Sequence, residues 1–164
     1  AGVNYKNPSS SPDGLGADLL KAATTLTNGT AGGVNLILDP VGGSMFKANA
    51  EAIAMDGRWV LYGSMGGLAL PEGSSPLAPI LRKRVSLLGT TLRNRSDAYK
   101  TDLVNKFASD VLPKLASGAY APVIADEFEA TSGLEGAQAA LDLMETNANT
   151  GKILIRVAAA AAEQ

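Results

Sequence analysis

Neither cysteine nor histidine occurs anywhere in the 164 residues. Without cysteine there is no disulfide, no thiolate nucleophile and no thiolate zinc site. Without histidine the chain cannot assemble a Ser-His-Asp or Cys-His relay, nor the usual catalytic zinc centre. Chemistry must then come from a bound cofactor, from carboxylates, or from Lys and Tyr. Net charge is nearly absent too, at −2, so nothing in the global electrostatics pulls towards nucleic acid or an anionic membrane. No apolar run approaches the roughly 18 residues of a membrane span, and no signal peptide is visible. These absences fit a reducing, cytoplasmic setting and predict no nucleic acid, no membrane and no metal.

What is present describes an ordinary globular chain, 46% hydrophobic and 18% charged, long enough to bury a core without staples. Basic residues cluster at Arg82, Lys83 and Arg84 and again at Arg93 and Arg95, and read as solvated surface. Asp126, Glu127 and Glu129 lie close together, but alternation along an exposed strand accounts for them without catalysis.

Hydrophobic periodicity lays out the elements. The first dozen residues read as a Pro/Ser loop. Leu19, Leu20, Ala23 and Leu26 predict a helix over 17–27, stopped by Asn28-Gly29. Val34-Asn35-Leu36-Ile37-Leu38-Asp39 is an almost continuous apolar run, the pattern of a strand buried on both faces. A helix over 44–55 follows, with Ser44 as N-cap and Asp56-Gly57 as its break. Residues 58–63 predict a strand, 77–83 a short helix, and Val85-Ser86-Leu87-Leu88-Gly89-Thr90-Thr91-Leu92 a third strand. Ser96 caps a long helix whose apolar face is Leu103, Phe107, Val111 and Leu115, ended or kinked by Pro113 and stopped by Ser117-Gly118. A strand over 123–130 precedes a helix burying Ala137, Leu141 and Met144, opened by a Ser132/Glu135 capping box. Residues 152–157 form a closing strand, and an Ala-rich tail extends or frays. Alternating strands and helices imply an α/β fold: partial Rossmann-like, a mainly parallel sheet with helices on both faces.

In such a sheet, ligands bind beyond the carboxyl ends of strands. Two of those ends are rich in glycine, Asp39-Pro40-Val41-Gly42-Gly43 and Leu61-Tyr62-Gly63-Ser64-Met65-Gly66-Gly67. Glycine there lets a flat ligand lie against the backbone. A third end, Gly89-Thr90-Thr91-Leu92, offers polar groups to the same ligand. The G-x-G-x-x-G fingerprint is absent: Gly14-Leu15-Gly16 has Leu19 where the third glycine belongs, and it follows a loop rather than a strand.

Gly2-Val3-Asn4-Tyr5-Lys6, the segment from Gly33 through Asp39-Pro40-Val41-Gly42-Gly43, Asp56-Gly57-Arg58-Trp59-Val60-Leu61-Tyr62-Gly63-Ser64-Met65-Gly66-Gly67, and Asn149-Thr150-Gly151-Lys152-Ile153-Leu154-Ile155 together carry a resemblance. The chain resembles the zeta-crystallin-like quinone oxidoreductase branch of the zinc-free medium-chain dehydrogenase/reductase superfamily, nearly end to end and with the same spacing. The resemblance implies a Rossmann domain that binds NADPH and passes hydride to quinones or related enones. Carried over by position, Tyr5 would pack near the adenosine 2′-phosphate, and Val41 and Gly42 would line the nicotinamide side. Tyr62, Gly63, Ser64 and Met65 would follow the ribose and carboxamide. Thr90, Thr91 and Leu92 would face the nicotinamide, and Asn149 would reach in from the carboxy-terminal segment. No residue is implied as catalytic. Read alone, Tyr5 is a surface turn residue and Asn149 a helix C-cap.

In the family a substrate domain and the first βαβ unit with its Gly-rich loop precede the N-Y-K motif, and neither is in this sequence. The resemblance therefore implies a carboxy-terminal fragment: residues 1–122 a truncated nucleotide-binding domain, residues 123–164 a segment that in the family returns towards the substrate domain. Such a fragment is expected to bind NADPH weakly, turn over little by itself, and associate as a homo-oligomer, a dimer through the strand over 85–92. Two alternatives stay open: a non-catalytic oligomerisation or binding module derived from the same fold, and a different enone or enoyl reductase of the superfamily.

Overall fold

A computed structural model describes residues 2–5, 14–29, 32–70, 72–130 and 133–157. The chain divides into two compact units, 1–95 and 96–164. The boundary at 122/123 drawn from the resemblance falls inside the second unit, just ahead of a strand. The Pro/Ser stretch over 6–13, Lys6 of the N-Y-K motif, Ser132 and the Ala-rich tail lie outside the described residues.

In the first unit, α1 (Leu15–Leu26), β1 (Val34–Asp39), a 3-10 turn (Gly43–Met45), α2 (Phe46–Ala52), β2 (Ile53–Leu61), α3 (Leu77–Arg82) and β3 (Ser86–Gly89) follow one another. The strands form one parallel sheet in the order β1-β2-β3. Its register sets Ile37 beside Trp59 and Trp59 beside Leu87. Residues two apart on a strand share a face. Ile37 therefore joins the core of Ala50, Ile53 and Trp59, on which Phe46 and Val85 also pack. The Phe46 and Trp59 rings stack with centroids 5.3 Å apart, a geometry that adds to their area burial. Leu36 and Leu38 point the other way and are 51% and 62% exposed, so β1 is not buried on both faces as its apolar run predicts.

The junction of α2 and β2 departs from the sequence reading. The helix ends at Ala52 rather than 55, and Ile53 is already extended (φ −66°, ψ 137°) and paired with Val34. Its β-branched side chain is 1% exposed, and that burial outweighs the helical pattern. Asp56, at φ 59°, lies in the irregular stretch that shifts the register against β1. Two of the basic triplet, Lys83 and Arg84, lock this junction instead of lying free in solvent. Lys83 Nζ donates to the carbonyl oxygens of Ala50 (2.9 Å), Glu51 (2.9 Å) and Ile53 (2.8 Å), closing the orphan acceptors at the end of α2. Arg84 grips Asp56 with two bonds of 2.7 and 2.5 Å. Ser44 does not cap α2: the helix starts after Met45, whose amide donates to the Gly42 carbonyl in the 3-10 turn. The third strand is shorter than its apolar run, because Val85 turns into the core and residues 90–92 leave the sheet for a turn.

The second unit holds α4 (Asp97–Asp110), α5 (Leu112–Ala116), β4 (Ile124–Ala130), α6 (Glu135–Glu145) and β5 (Lys152–Val157). Ser96 caps α4 as its position predicts, its Oγ accepting the Tyr99 amide at 3.3 Å. Pro113 stands in the first turn of α5, after α4 has ended. Along the expected apolar face, Leu103 and Phe107 are 44% and 48% exposed. β4 and β5 pair in parallel as a sheet of their own, not as an extension of the first. Arg156 on β5 bridges Glu127 and Glu129 on β4, at 2.9 Å each. In α6 the buried residue is Ala140, while Leu141 and Met144 are exposed. Gly136 abuts the Glu129 carbonyl, a contact that sets the helix's rotation. Leu134 is the N-cap, which leaves Glu135 at the first helical position and out of place for a capping box.

Two outcomes follow for the α2–β2 junction. Lys83→Met should lower stability in urea denaturation by about 1–2 kcal/mol, with the exposed Arg82→Met unchanged as control. The Arg84 hydrogen bond, aided by its charge, holds the Asp56 carboxyl below the ordinary aspartate range. A depressed folded value means the pair stabilises at neutral pH and loses its effect as the pH falls below about 4. Melting temperatures followed into acid should show Asp56→Asn, which tolerates the same left-handed backbone, losing this part of the pH dependence.

Candidate functional site

The turn at the carboxyl end of β1 is organised by one side chain. Asp39 is 2% exposed. Its Oδ1 accepts the amides of Val41 (2.8 Å) and Gly42 (2.9 Å), and its Oδ2 accepts Asn49 Nδ2 and Trp59 Nε1, both at 3.0 Å. The carboxylate thus ties the turn after β1 to α2 and to β2.

Backbone bonds then zip the two Gly-rich loops together. Tyr62 donates to the Asp39 carbonyl (3.0 Å), Met65 to Pro40 (3.1 Å), Gly66 to Val41 (2.8 Å) and Gly43 to Gly67 (2.8 Å). This contact is what the glycines serve. A Cβ at Gly63 would sit 2.5 Å from the Pro40 carbonyl oxygen, and one at Gly43 would collide with the Ala69 carbonyl. Gly42 takes φ 83°. The space that glycine was expected to leave for a flat ligand is, at Gly42, Gly43 and Gly63, filled by the neighbouring loop. Gly89 differs, since a Cβ there would meet nothing within 4 Å.

Beyond β2 and β3 lies a cleft of about 600 Å³. It brings together five of the residues to which the resemblance assigns cofactor contacts: Tyr62, Gly63, Ser64, Thr90 and Thr91. Gly89, Arg93 and Asn94 also line it, and Leu61 and Leu68 give it apolar wall. Asn94 and Leu68 had no signal in the sequence, because nothing in a turn's composition says which way it folds. Thr90 is fixed at both ends: its amide donates to the Leu61 carbonyl (2.9 Å) and its Oγ1 accepts from Arg95 (2.9 Å). Val41 and Gly42 adjoin the 62–67 loop without lining the cleft. Met65, Leu92 and Tyr5 are 86%, 55% and 59% exposed and do not line it either. Tyr5 stands in a turn. Asn149 belongs to the second unit, where its Nδ2 donates to the Gly151 carbonyl at 3.2 Å, and the C-cap of α6 is Thr146. A second cavity of about 500 Å³, between α2 and residues 72–75, contains none of the residues singled out in the sequence.

Among the described residues, no group of three or more acidic side chains is placed to hold a metal ion, and no helix is long and apolar enough to cross a membrane.

A family model described as zinc-binding dehydrogenase matches residues 15–155. Prostaglandin reductase-3 of Mus musculus is 31% identical over 135 residues, which cover 76% of this chain and 34% of that protein. Quinone oxidoreductase-like protein 2 of Bos taurus is 30% identical over 125 residues, with the same shares. The chain spans about a third of the length of these curated relatives. Among solved structures, CurA of Vibrio vulnificus in complex with NADPH superposes with a TM-score of 0.64 at 21% identity, over 96% of this chain and 43% of that one. A mycobacterial quinone oxidoreductase gives 0.56 at 20% identity, over 84% and 39%. At these identities the likeness shows the fold, an α/β Rossmann-like arrangement with parallel sheets.

Replacing Asp39 tests the centre of this arrangement. Asp39→Asn sets an NH₂ against N–H donors and should cost about 2–4 kcal/mol. Trp59→Phe removes one donor and keeps the ring, and should cost about 1 kcal/mol at this bond. Urea denaturation followed by circular dichroism measures both.

Proposed function

Because the chain belongs to the zinc-binding dehydrogenase family, we propose that it is the nucleotide-binding part of an NADPH-dependent reductase that passes hydride to quinones or related enones. The observation that carries this reading is the cleft beyond β2 and β3, at the place where parallel α/β sheets take their ligands, with five of the expected contact residues on its wall. The relatives named for quinone and prostaglandin reduction, and a neighbour solved with NADPH, support the same class of chemistry.

Zinc, which the family's description mentions, does not fit this stretch of chain. It has no cysteine or histidine to supply the usual zinc ligands. The nicotinamide half of NADPH fits better, since the cleft joins an open backbone face at Gly89 to the hydroxyls of Thr90 and Thr91. When bound, NADPH supplies the hydride. Of the chain's own residues, Tyr62, Gly63 and Ser64 would follow the ribose and carboxamide, and Thr90 and Thr91 would face the ring. Val41 and Gly42 would back the nicotinamide side from behind the 62–67 loop, and Tyr5 would pack near the 2′-phosphate. No strand-to-helix turn with a G-x-G-x-x-G loop lies within the chain to hold the pyrophosphate on a helix N-terminus, so binding by this chain alone is weak and turnover small.

The setting is cytoplasmic, and a second copy pairs along β3, whose four residues are all exposed at the sheet edge. A non-catalytic module is the second reading. It is favoured by the Gly-rich loops satisfying each other rather than a ligand.

Calorimetric titration with NADPH and NADH, followed by amide chemical shifts, separates the two readings. The expected result is weak binding that prefers NADPH and moves the amides of Gly89, Thr90 and Thr91. No heat with either nucleotide, or shifts confined to residues 72–75, would favour the non-catalytic module.

A further inference from the structure

We propose that Arg93 is the anion anchor of the cleft beyond β2 and β3, selecting ligands that carry a phosphate or carboxylate group. The inference rests on the reading of that cleft as the nicotinamide and substrate site, and it names what the site prefers.

Among the described residues, Arg93 is the one charged residue on the cleft wall, and no Asp or Glu lines it. The other arginine of the turn is already engaged, since Arg95 donates to Thr90 Oγ1 at 2.9 Å. Arg93 has no hydrogen-bond or ion-pair partner among the described residues, whereas Arg84 and Arg156 are each held by carboxylates. An unpaired guanidinium presents a planar fork of donors that matches a carboxylate or phosphate. The groups around it donate as well. The Thr90 hydroxyl accepts from Arg95 and keeps its own proton to give, and the Thr91 hydroxyl and Asn94 amide line the same wall. A cleft with several donors, one unpaired cation and no carboxylate is built for an anion. The chain's net charge of −2 works against anions in general, so any preference for them must be local.

Two sources fit this chemistry: the phosphate beside the nicotinamide ribose of the cofactor, and a carboxylate on the substrate. Matched pairs of probes distinguish them. The first pair is reduced nicotinamide mononucleotide against reduced nicotinamide riboside, which differ by the phosphate. The second is the enone 8-oxodec-6-enoate against its methyl ester, which differ by the charge. Each is titrated into the parent chain, Arg93→Gln, Arg93→Lys and the control Arg82→Gln, with dihydronicotinamide fluorescence or amide shifts as readout.

The parent should favour the anionic member of at least one pair by about fivefold, the size of one partly solvated charged bond. Arg93→Gln should abolish that preference, Arg93→Lys keep part of it, and Arg82→Gln leave it intact. Added salt should shrink it. A preference confined to the phosphate pair assigns the anchor to the cofactor; one confined to the carboxylate pair assigns it to the substrate. Equal binding within both pairs by the parent, absence of binding included, overturns the proposal, as does a preference that survives Arg93→Gln. Reduced nicotinamide riboside carries no anion, so its binding to Arg93→Gln reports on the nicotinamide site independently of the anchor.

Discussion

A carboxylate that is 2% exposed is costly unless every lone pair finds a donor, and Asp39 finds four. Two of those donors are backbone amides of the turn it begins, and the other two are side chains of α2 and β2. The end of β1, the start of the turn and the inner face of the helix are thereby held at one point. The zipped loops follow from it. With Val41 and Gly42 drawn back onto Asp39, the carbonyls of Asp39, Pro40 and Val41 are left to receive the amides of residues 62, 65 and 66. The floor of the cleft is in this sense a consequence of one buried acid.

At the opposite end of the sheet the same economy appears with the signs reversed. Burial pulls the Lys83 ammonium below the usual lysine range, opposed by the charge of Glu51, yet its three carbonyl partners give it a complete set of acceptors. Arg84 sits in the left-handed region at φ 51° and Asp56 at φ 59°. Both non-glycine residues accept that conformation in a mutual clamp, the bidentate pair compensating local backbone cost. One basic run thus ends α3, closes α2 and fastens the irregular start of β2.

Much of this fold was legible in the sequence, and the gaps have physical causes. Apolar runs located the five strands of the described residues, and β1 and β5 agree residue for residue. Helix phase was harder to read. In α6 an apolar pattern pointed to Leu141 and Met144, but Gly136 against the Glu129 carbonyl turns Ala140 inward instead. The division into two sheets is a matter of strand pairing, which composition does not encode. At the candidate site, glycine and threonine at strand ends were visible, and four of those residues, Gly63, Gly89, Thr90 and Thr91, do line one cleft. What was not visible was that Asp39 organises the loops, since a lone Asp before Pro reads as a turn residue, or that Lys83 is a cap, since its partners lie some thirty residues away.

The zipped loops bear on how related chains are to be read. Gly43 and Gly63 are required by carbonyl oxygens of the protein itself. Selection for a stable fold alone would then retain them, even in a descendant that had given up nucleotides altogether. The strings Asp-Pro-Val-Gly-Gly and Tyr-Gly-Ser-Met-Gly-Gly are in that case poor markers of an active enzyme and good markers of the architecture. Gly89 is the more telling position: apart from its chain neighbours, no described residue lies within 4 Å of where a side chain would begin there, so its loss or retention across a lineage would record the pressure exerted by whatever occupies the cleft.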